Sequence, residues 1–264
     1  MKNKVILITG GSSGIGKATA EALRDLGYTV YEGSRRESSI PGVTHLTLDV
    51  TDESSAESAV NRVISREGAL DVLINCAGFG ISGAVEFTES AEVRRQLDVL
   101  FMGVVNMTKA AIPHMRKAGG GRIMNISSVA AEFPIPFQTY YSASKAAVNA
   151  YSAALANELR PFGISVTSVQ PGDIKTGFTA ARAKSEVGDD IYGGRISRSV
   201  ATMERDEQNG MTPECAGRMI AKLALKKRVG PVHTLGISYK LLGILKRILP
   251  ASLVNRIVGM IYAK

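Results

Sequence analysis

The chain has 264 residues, 45% of them hydrophobic, with 27 Gly, 2 Cys and a formal net charge of +8. Cys76 and Cys215 are too few for a disulfide framework, and His45, His114 and His233 are scattered without ligand spacing, so neither a disulfide-stapled fold nor a metal site is expected. Length and apolar content suit a single α/β domain over residues 1–264 with a sizeable core.

Met1-Lys2-Asn3-Lys4 runs directly into Val5-Ile6-Leu7-Ile8, a short apolar run typical of a buried parallel strand. That run is too short for a signal-peptide core, and a soluble, cytoplasmic chain is expected. Next come Gly10, Ser12, Ser13, Gly14, Ile15 and Gly16 in a Gly-x-x-x-Gly-x-Gly spacing, and Lys17 to Leu26 carries apolar residues at helical intervals. Glycines there permit a tight turn and let backbone N–H groups approach a pyrophosphate at the helix N-terminus; an ordinary Gly-rich turn is the plainer alternative. Further strand-like runs at Thr29–Gly33, Thr44–Asp49, Val72–Asn75, Arg122–Ser127, Ser165–Gln170 and Pro231–Leu235 alternate with helical stretches. This alternation predicts one doubly wound parallel sheet of the Rossmann type, with helices on both faces.

The Arg122–Ser127 run is apolar at Ile123, Met124 and Ile126, so Ser128 emerges at the carboxyl end of a strand, the edge where open α/β sheets bind ligands. Thirteen residues later stands Tyr141, four before Lys145, in front of an Ala-rich stretch to Leu159 made of good helix formers. On a helix the two share one face. A hydroxyl, a phenol and an ammonium are what a protein needs to move a proton while a bound dinucleotide moves a hydride. Ser128 by itself would read as a turn or helix cap. Between Ser128 and Tyr141, Ala131 to Phe137 forms an apolar loop that should border the site, joined by Phe79 and Phe178. Apolar walls favour a small lipophilic alcohol or ketone, such as a hydroxysteroid, retinoid-like or fatty compound, over a sugar.

Basic residues gather late, at Lys222, Lys226, Lys227, Arg228, Lys240, Lys246, Arg247, Arg256 and Lys264. No nucleic-acid motif accompanies them, and no nucleic-acid partner is expected. Two amphipathic stretches, Tyr239 to Leu249 and Ser252 to Tyr262, meet at Pro250 in a tail over 239–264, with charges too frequent for a membrane span. Their apolar stripes are expected to pack on the domain, on a second subunit or over the substrate mouth, and contact with an anionic membrane surface is the alternative set second.

Thr9 to Gly16, Asp49-Val50, Asn75-Cys76-Ala77-Gly78, Ser128, Tyr141 with Lys145, and Pro171-Gly172 followed by Thr176 occur in that order. With these pieces the chain resembles the classical short-chain dehydrogenase/reductase family over at least residues 4 to 176. The resemblance implies an NAD(P)-dependent oxidoreductase in which Ser128, Tyr141 and Lys145 are catalytic, Tyr141 being the acid/base drawn down by Lys145 and the nicotinamide charge. It implies that Asp49 holds the adenine amine, that Asn75, Ala77 and Gly78 support the strand beside the cofactor, that Ile174 and Thr176 meet the nicotinamide carboxamide, and that Val50, Pro171 and Gly172 also belong to the cofactor-binding set. A mobile lid over 177–212 and a homodimer or homotetramer are implied as well. Three residues before Gly103, where the family has an Asn, this chain has Leu100. On that position rests the alternative of a dinucleotide-sensing or structural protein without catalysis. The family's acidic position at the end of the second strand falls on Ser34, and Arg35 follows it. This implies NADP(H) as the preferred cofactor, with NAD(H) possible, because a guanidinium accommodates a 2′-phosphate. Glu32 is the competing clue.

Overall fold

Val5–Thr9 and Val72–Asn75 are buried at every position, so the central strands need cover on both faces. In the computed structural model, which describes residues 3–263, the order is β1 (Val5–Thr9), α1 (Gly14–Asp25), β2 (Thr29–Ser34), β3 (Thr44–Thr47), α2 (Glu53–Glu67), β4 (Val72–Asn75), β5 (Ile81–Ser82), α3 (Ser90–Leu97), α4 (Gly103–Lys117), β6 (Gly121–Ile126), α5 (Thr139–Glu158), β7 (Ile164–Gln170), α6 (Phe178–Ala181), β8 (Ala183–Lys184), α7 (Arg195–Gln208), α8 (Pro213–Leu225), β9 (Val232–Thr234), α9 (Ile237–Ile248) and α10 (Ala251–Tyr262). Met1, Lys2 and Lys264, the last residue of the basic tail, lie outside the described residues.

Seven strands form one sheet in the order β3-β2-β1-β4-β6-β7-β9, every neighbouring pair parallel. This is the doubly wound arrangement expected from the alternation of strand and helix. Val5, Leu7, Leu73, Ile123 and Val166 pack against α2, α4 and α5 on one face. Ile6, Ile8, Ile74, Met124 and Val169 pack against α1 and α8 on the other. The winding reverses between β1 and β4, which opens a crevice at their carboxyl ends. A separate parallel pair, β5 with β8, comes from the loops beyond that edge.

Several boundaries differ from the sequence reading, two of them at the site. The helix expected to open with Tyr141 starts two residues earlier, at Thr139. Tertiary anchors extend it: the Ser142 hydroxyl accepts from the Ile135 N–H at 3.2 Å, and the Tyr140 hydroxyl donates to the Val85 carbonyl at 3.1 Å. β3 stops at Thr47, leaving Asp49 in the turn beyond it.

Arg122 ties β6 to β7 and to the end of α8. Its Nη1 donates to the Leu223 and Ala224 carbonyls at 2.8 and 2.9 Å, the last turn of α8, where carbonyls have no partner within the helix. Burial lowers the pKa of this guanidinium from its ordinary value, but these charge-assisted bonds compensate its desolvation. Arg122→Met should fill a similar volume and leave both carbonyls unpaired, costing about 2 kcal/mol and roughly 4–8 °C of melting temperature. A melting temperature unchanged by the substitution would show that water satisfies α8 equally well.

Candidate active site

The first element of the site is the turn between β1 and α1. The Thr9 hydroxyl accepts from the N–H groups of Cys76 and Ala77 at 3.0 and 3.1 Å, which fastens the end of β1 to the end of β4. Gly10, at φ +69°, is pressed so closely onto that strand that a Cβ would lie 2.7 Å from the Ala77 Cα. At Gly16 a Cβ would lie 2.3 Å from the Gly10 carbonyl oxygen, so the turn closes on itself only with glycine at both places. Ser13 caps α1 without a side-chain hydrogen bond, and the helix has no acidic residue in its first turn. Its free N–H groups and positive dipole end therefore suit an anion such as a pyrophosphate. Ser12, Gly14 and Ile15 complete the turn, and Thr176 approaches it from the far side, 3.7 Å from where a Gly14 Cβ would stand.

Ser128, Tyr141 and Lys145 meet at the carboxyl edge of β6. Ser128 caps the short helical turn after β6, its hydroxyl accepting from the Ala130 N–H at 3.1 Å, and it lies near enough to the Tyr141 phenol to favour its ionised form. Lys145 Nζ donates to the Ile126 carbonyl at 2.8 Å and lies 5.7 Å from the Tyr141 ring centre. The Ser127 hydroxyl donates to the Lys145 carbonyl at 3.0 Å, so two bonds stitch the end of β6 to α5. Burial pushes the Tyr141 phenol up to about 12, against the opposing Ser128 hydrogen bond, and pushes Lys145 down to about 8. Lys145 makes no hydrogen bond to the phenol in this arrangement, its Nζ being turned to the Ile126 carbonyl.

The remaining residues flank this centre on the same sheet edge. Asp49 is fixed by its own turn, accepting from the Thr51 N–H at 3.0 Å and the Thr51 hydroxyl at 2.8 Å, and Val50 is buried against Gly103. Pro171 accepts from the Val129 N–H at 2.9 Å, which couples the loop after β7 to the loop holding Ser128. Gly172 makes room for the Tyr239 ring, and Ile174 is buried. At the end of β2, the Ser34 hydroxyl donates to the Arg36 carbonyl at 2.8 Å. Arg35 is exposed and borders a cavity of about 500 Å³ together with Arg94 and Arg95. Glu32 is 1% exposed and hydrogen-bonds His45 across the β2–β3 pair, its second carboxylate oxygen lacking a partner among the described residues.

Of the apolar residues expected around the site, Phe178 stacks obliquely on Tyr141 with ring centres 5.7 Å apart. Phe79 turns away, under the Arg95 guanidinium at 4.9 Å. Within the loop after Ser128, Phe137 sits at φ +60° and meets the Tyr192 ring edge-on at 5.5 Å. Segment 177–212 is largely α6, β8 and α7, held together by hydrogen bonds from Thr179 and Arg182 to Glu207.

A polar chain beneath the site was not read from the sequence. Asn75 Nδ2 donates to Asn125 Oδ1 at 2.8 Å, and Asn125 Nδ2 donates to the Ser152 hydroxyl at 2.8 Å. The network links β4, β6 and α5 in the core, and its one signal in the sequence is the Asn that interrupts the apolar run of β6. Leu100 is buried in a π-helical turn, Asp98–Met102, with its side chain against Gly78. It fills space beside the site and supplies no polar atom to it.

Comparison with known proteins agrees with this geometry. A family model described as short chain dehydrogenase matches residues 4–187. The chain is 47% identical over 241 residues to the 3-ketodihydrosphingosine reductase of Bacteroides thetaiotaomicron, covering 88% of this chain and 90% of that protein. Among solved structures it resembles a 3-ketoacyl-(acyl-carrier-protein) reductase from Brucella melitensis complexed with NADH, with TM-score 0.74 and 27% identity over 88% of this chain and 96% of that one. It also resembles ElxO with NADP bound, with TM-score 0.75 and 28% identity over 90% of this chain and 99% of that one. The chain belongs to the short-chain dehydrogenase/reductase family and is an oxidoreductase that uses a nicotinamide dinucleotide.

Proposed function

We propose that this enzyme reduces the ketone of a long-chain, lipophilic substrate to a secondary alcohol with NADPH. The observation that carries the reading is the Ser128–Tyr141–Lys145 constellation at the sheet edge, beside a Gly-rich turn built for a pyrophosphate. The fatty class is favoured among lipophilic substrates by the 47% identity to a protein named as a reductase of a long-chain ketone. The Phe178 ring over Tyr141 and the apolar loop after Ser128 offer such a substrate matching walls.

When bound, the dinucleotide supplies a hydride from C4 of its nicotinamide. Protein groups do the rest. Ser128 Oγ has an acceptor site engaged by the Ala130 N–H, and its O–H donates to a substrate carbonyl in place of the Tyr141 oxygen. Tyr141, held near 12 by desolvation, stays protonated through the neutral range and gives its proton to the developing alkoxide. Lys145 is mainly charged at neutral pH with a value of about 8, and its ammonium offsets the negative charge left on the phenol. In the same reading Asp49, Asn75, Ala77, Gly78, Ile174 and Thr176 line the cofactor's course, residues 177–212 form the lid, and two or four copies assemble.

Tyr141→Phe should remove nearly all turnover while leaving dinucleotide affinity within a few-fold, because the ring still packs and only the proton donor is lost. Stopped-flow reduction of a long-chain ketone with a parallel fluorescence titration of NADPH measures both. Retention of activity within a few-fold of the parent would remove Tyr141 from the chemistry.

Cofactor choice rests on Arg35, exposed and flanked by two further arginines, against Glu32, buried and engaged by His45. Arg35→Ala should raise KM for NADPH about tenfold or more, as loss of one charge-assisted contact of roughly 1.5–3 kcal/mol implies, with little change for NADH. If the parent prefers NADH and Glu32→Ala is the damaging substitution, the preference is reversed.

A further inference from the structure

α9 is amphipathic in the wrong sense for a helix packed on its own domain. A surface helix ordinarily turns its apolar stripe inward. Here Ile237, Leu241, Ile244 and Ile248, at intervals that align them on one face, are 78%, 61%, 55% and 75% exposed, and no residue of α9 is buried. The inward side is the polar one. The Tyr239 hydroxyl hydrogen-bonds the Asp173 carboxylate, and Lys246 Nζ donates to Glu132 at 2.6 Å. Both partners belong to loops that border the site, Asp173 next to Gly172 and Glu132 four residues after Ser128. The two anchors therefore fix α9 at the rim with its stripe pointing away from the protein. α10 repeats the pattern: Val258 is buried, Tyr262 hydrogen-bonds Asp206 on α7 at 3.2 Å, and Leu253, Ile257, Met260 and Ile261 stay exposed.

Charge selects the occupant. From Cys215 to Lys264 the chain carries ten Lys and Arg and no Asp or Glu, more positive charge than the whole protein's net +8. Lys240 and Arg247, both exposed, stand one above the other along the border of the α9 stripe. An outward apolar stripe edged with cations matches an anionic lipid surface, where apolar side chains enter the acyl boundary and cations meet the headgroups. No helix among the described residues is long and apolar enough to cross a membrane, so the geometry is that of a surface contact. We infer that α9 and α10 dock this enzyme on an anionic bilayer, with the rim of the active site against the lipid. This does not depend on which ketone is reduced.

The test is co-sedimentation of the full chain with vesicles of phosphatidylcholine alone or mixed with phosphatidylglycerol, beside light scattering, thermal melting and turnover of a short, water-soluble ketone. The parent should bind the mixed vesicles, bind pure phosphatidylcholine far less, and be released by salt. The double variant Ile244→Glu with Ile248→Glu should lose at least about tenfold in vesicle affinity, with mass, melting temperature and short-ketone turnover unchanged. Lys240→Glu with Arg247→Glu should weaken binding to the mixed vesicles only. Failure of the parent to bind mixed vesicles, or equal binding by the Ile244/Ile248 variant, overturns the inference. So does a fall in mass of that variant, which would assign the stripe to a second copy of the chain.

Discussion

In β1, Val5 and Leu7 face α2 while Ile6 and Ile8 face α1 and α8, and the same division in β4, β6 and β7 leaves the central strands with no solvent face. Polar groups that must meet a ligand are thereby confined to strand ends, since a charged side chain on either face would be buried without water. Parallel pairing brings all the carboxyl ends to one edge, and the reversal of winding between β1 and β4 opens it. The Thr9 bonds to Cys76 and Ala77, the Ser127 and Lys145 bonds between β6 and α5, and the Pro171 bond to Val129 all lie along this line. They hold three separate loops in register at the place where the sheet itself makes no further hydrogen bonds.

Desolvation sets the protonation states within that edge. It acts against whichever form is charged, so it raises the Tyr141 phenol and lowers the Lys145 ammonium from the same cause. The two groups, nearly equal in proton affinity in water, are driven apart to about 12 and about 8, and their order is reversed. At neutral pH both groups keep their protons, the phenol as a neutral donor and the ammonium as a positive charge 5.7 Å from its ring centre. An oxidation begins from the opposite state of Tyr141 and needs added positive charge near the ring to reach it.

Much of the sheet was legible because buried parallel strands leave a simple mark, an apolar run bounded by turn residues. Val72–Asn75 has the same limits in sequence and structure, and the last strand was expected at Pro231–Leu235 and lies at Val232–Thr234. Motif spacing also placed Ser128, Tyr141 and Lys145 together, since i and i+4 share a helix face whatever surrounds them. What could not be read depends on partners distant in the chain. The start of α5 at Thr139 depends on contacts to Ile135 and Val85, and the Asn75–Asn125–Ser152 chain joins residues up to 77 positions apart. Glu32 shows the limit most plainly, because strand position alone does not say whether a carboxylate faces a cofactor or, as here, pairs with His45 on the neighbouring strand.

The same limit governs the tail. α8 and α9 have comparable amphipathic patterns, yet α8 buries Ala216, Ile220, Leu223 and Ala224 while α9 buries nothing. A hydrophobic stripe states only that one side of a helix avoids water, and the direction of that side is decided by whichever other residues are anchored. In α9 the anchors are Tyr239 and Lys246, on the side away from the Ile237–Ile248 stripe. Their partners, Asp173 and Glu132, lie in the two loops that flank the catalytic edge, and the Glu132 carboxylate is held below its usual range chiefly by the Lys246 ammonium, against the upward pull of burial. Whatever covers the stripe is therefore mechanically tied to the loop that carries Ser128. An apolar substrate reaching the site from that side would pass from one low-dielectric environment to another, with less of its apolar surface exposed to water on the way.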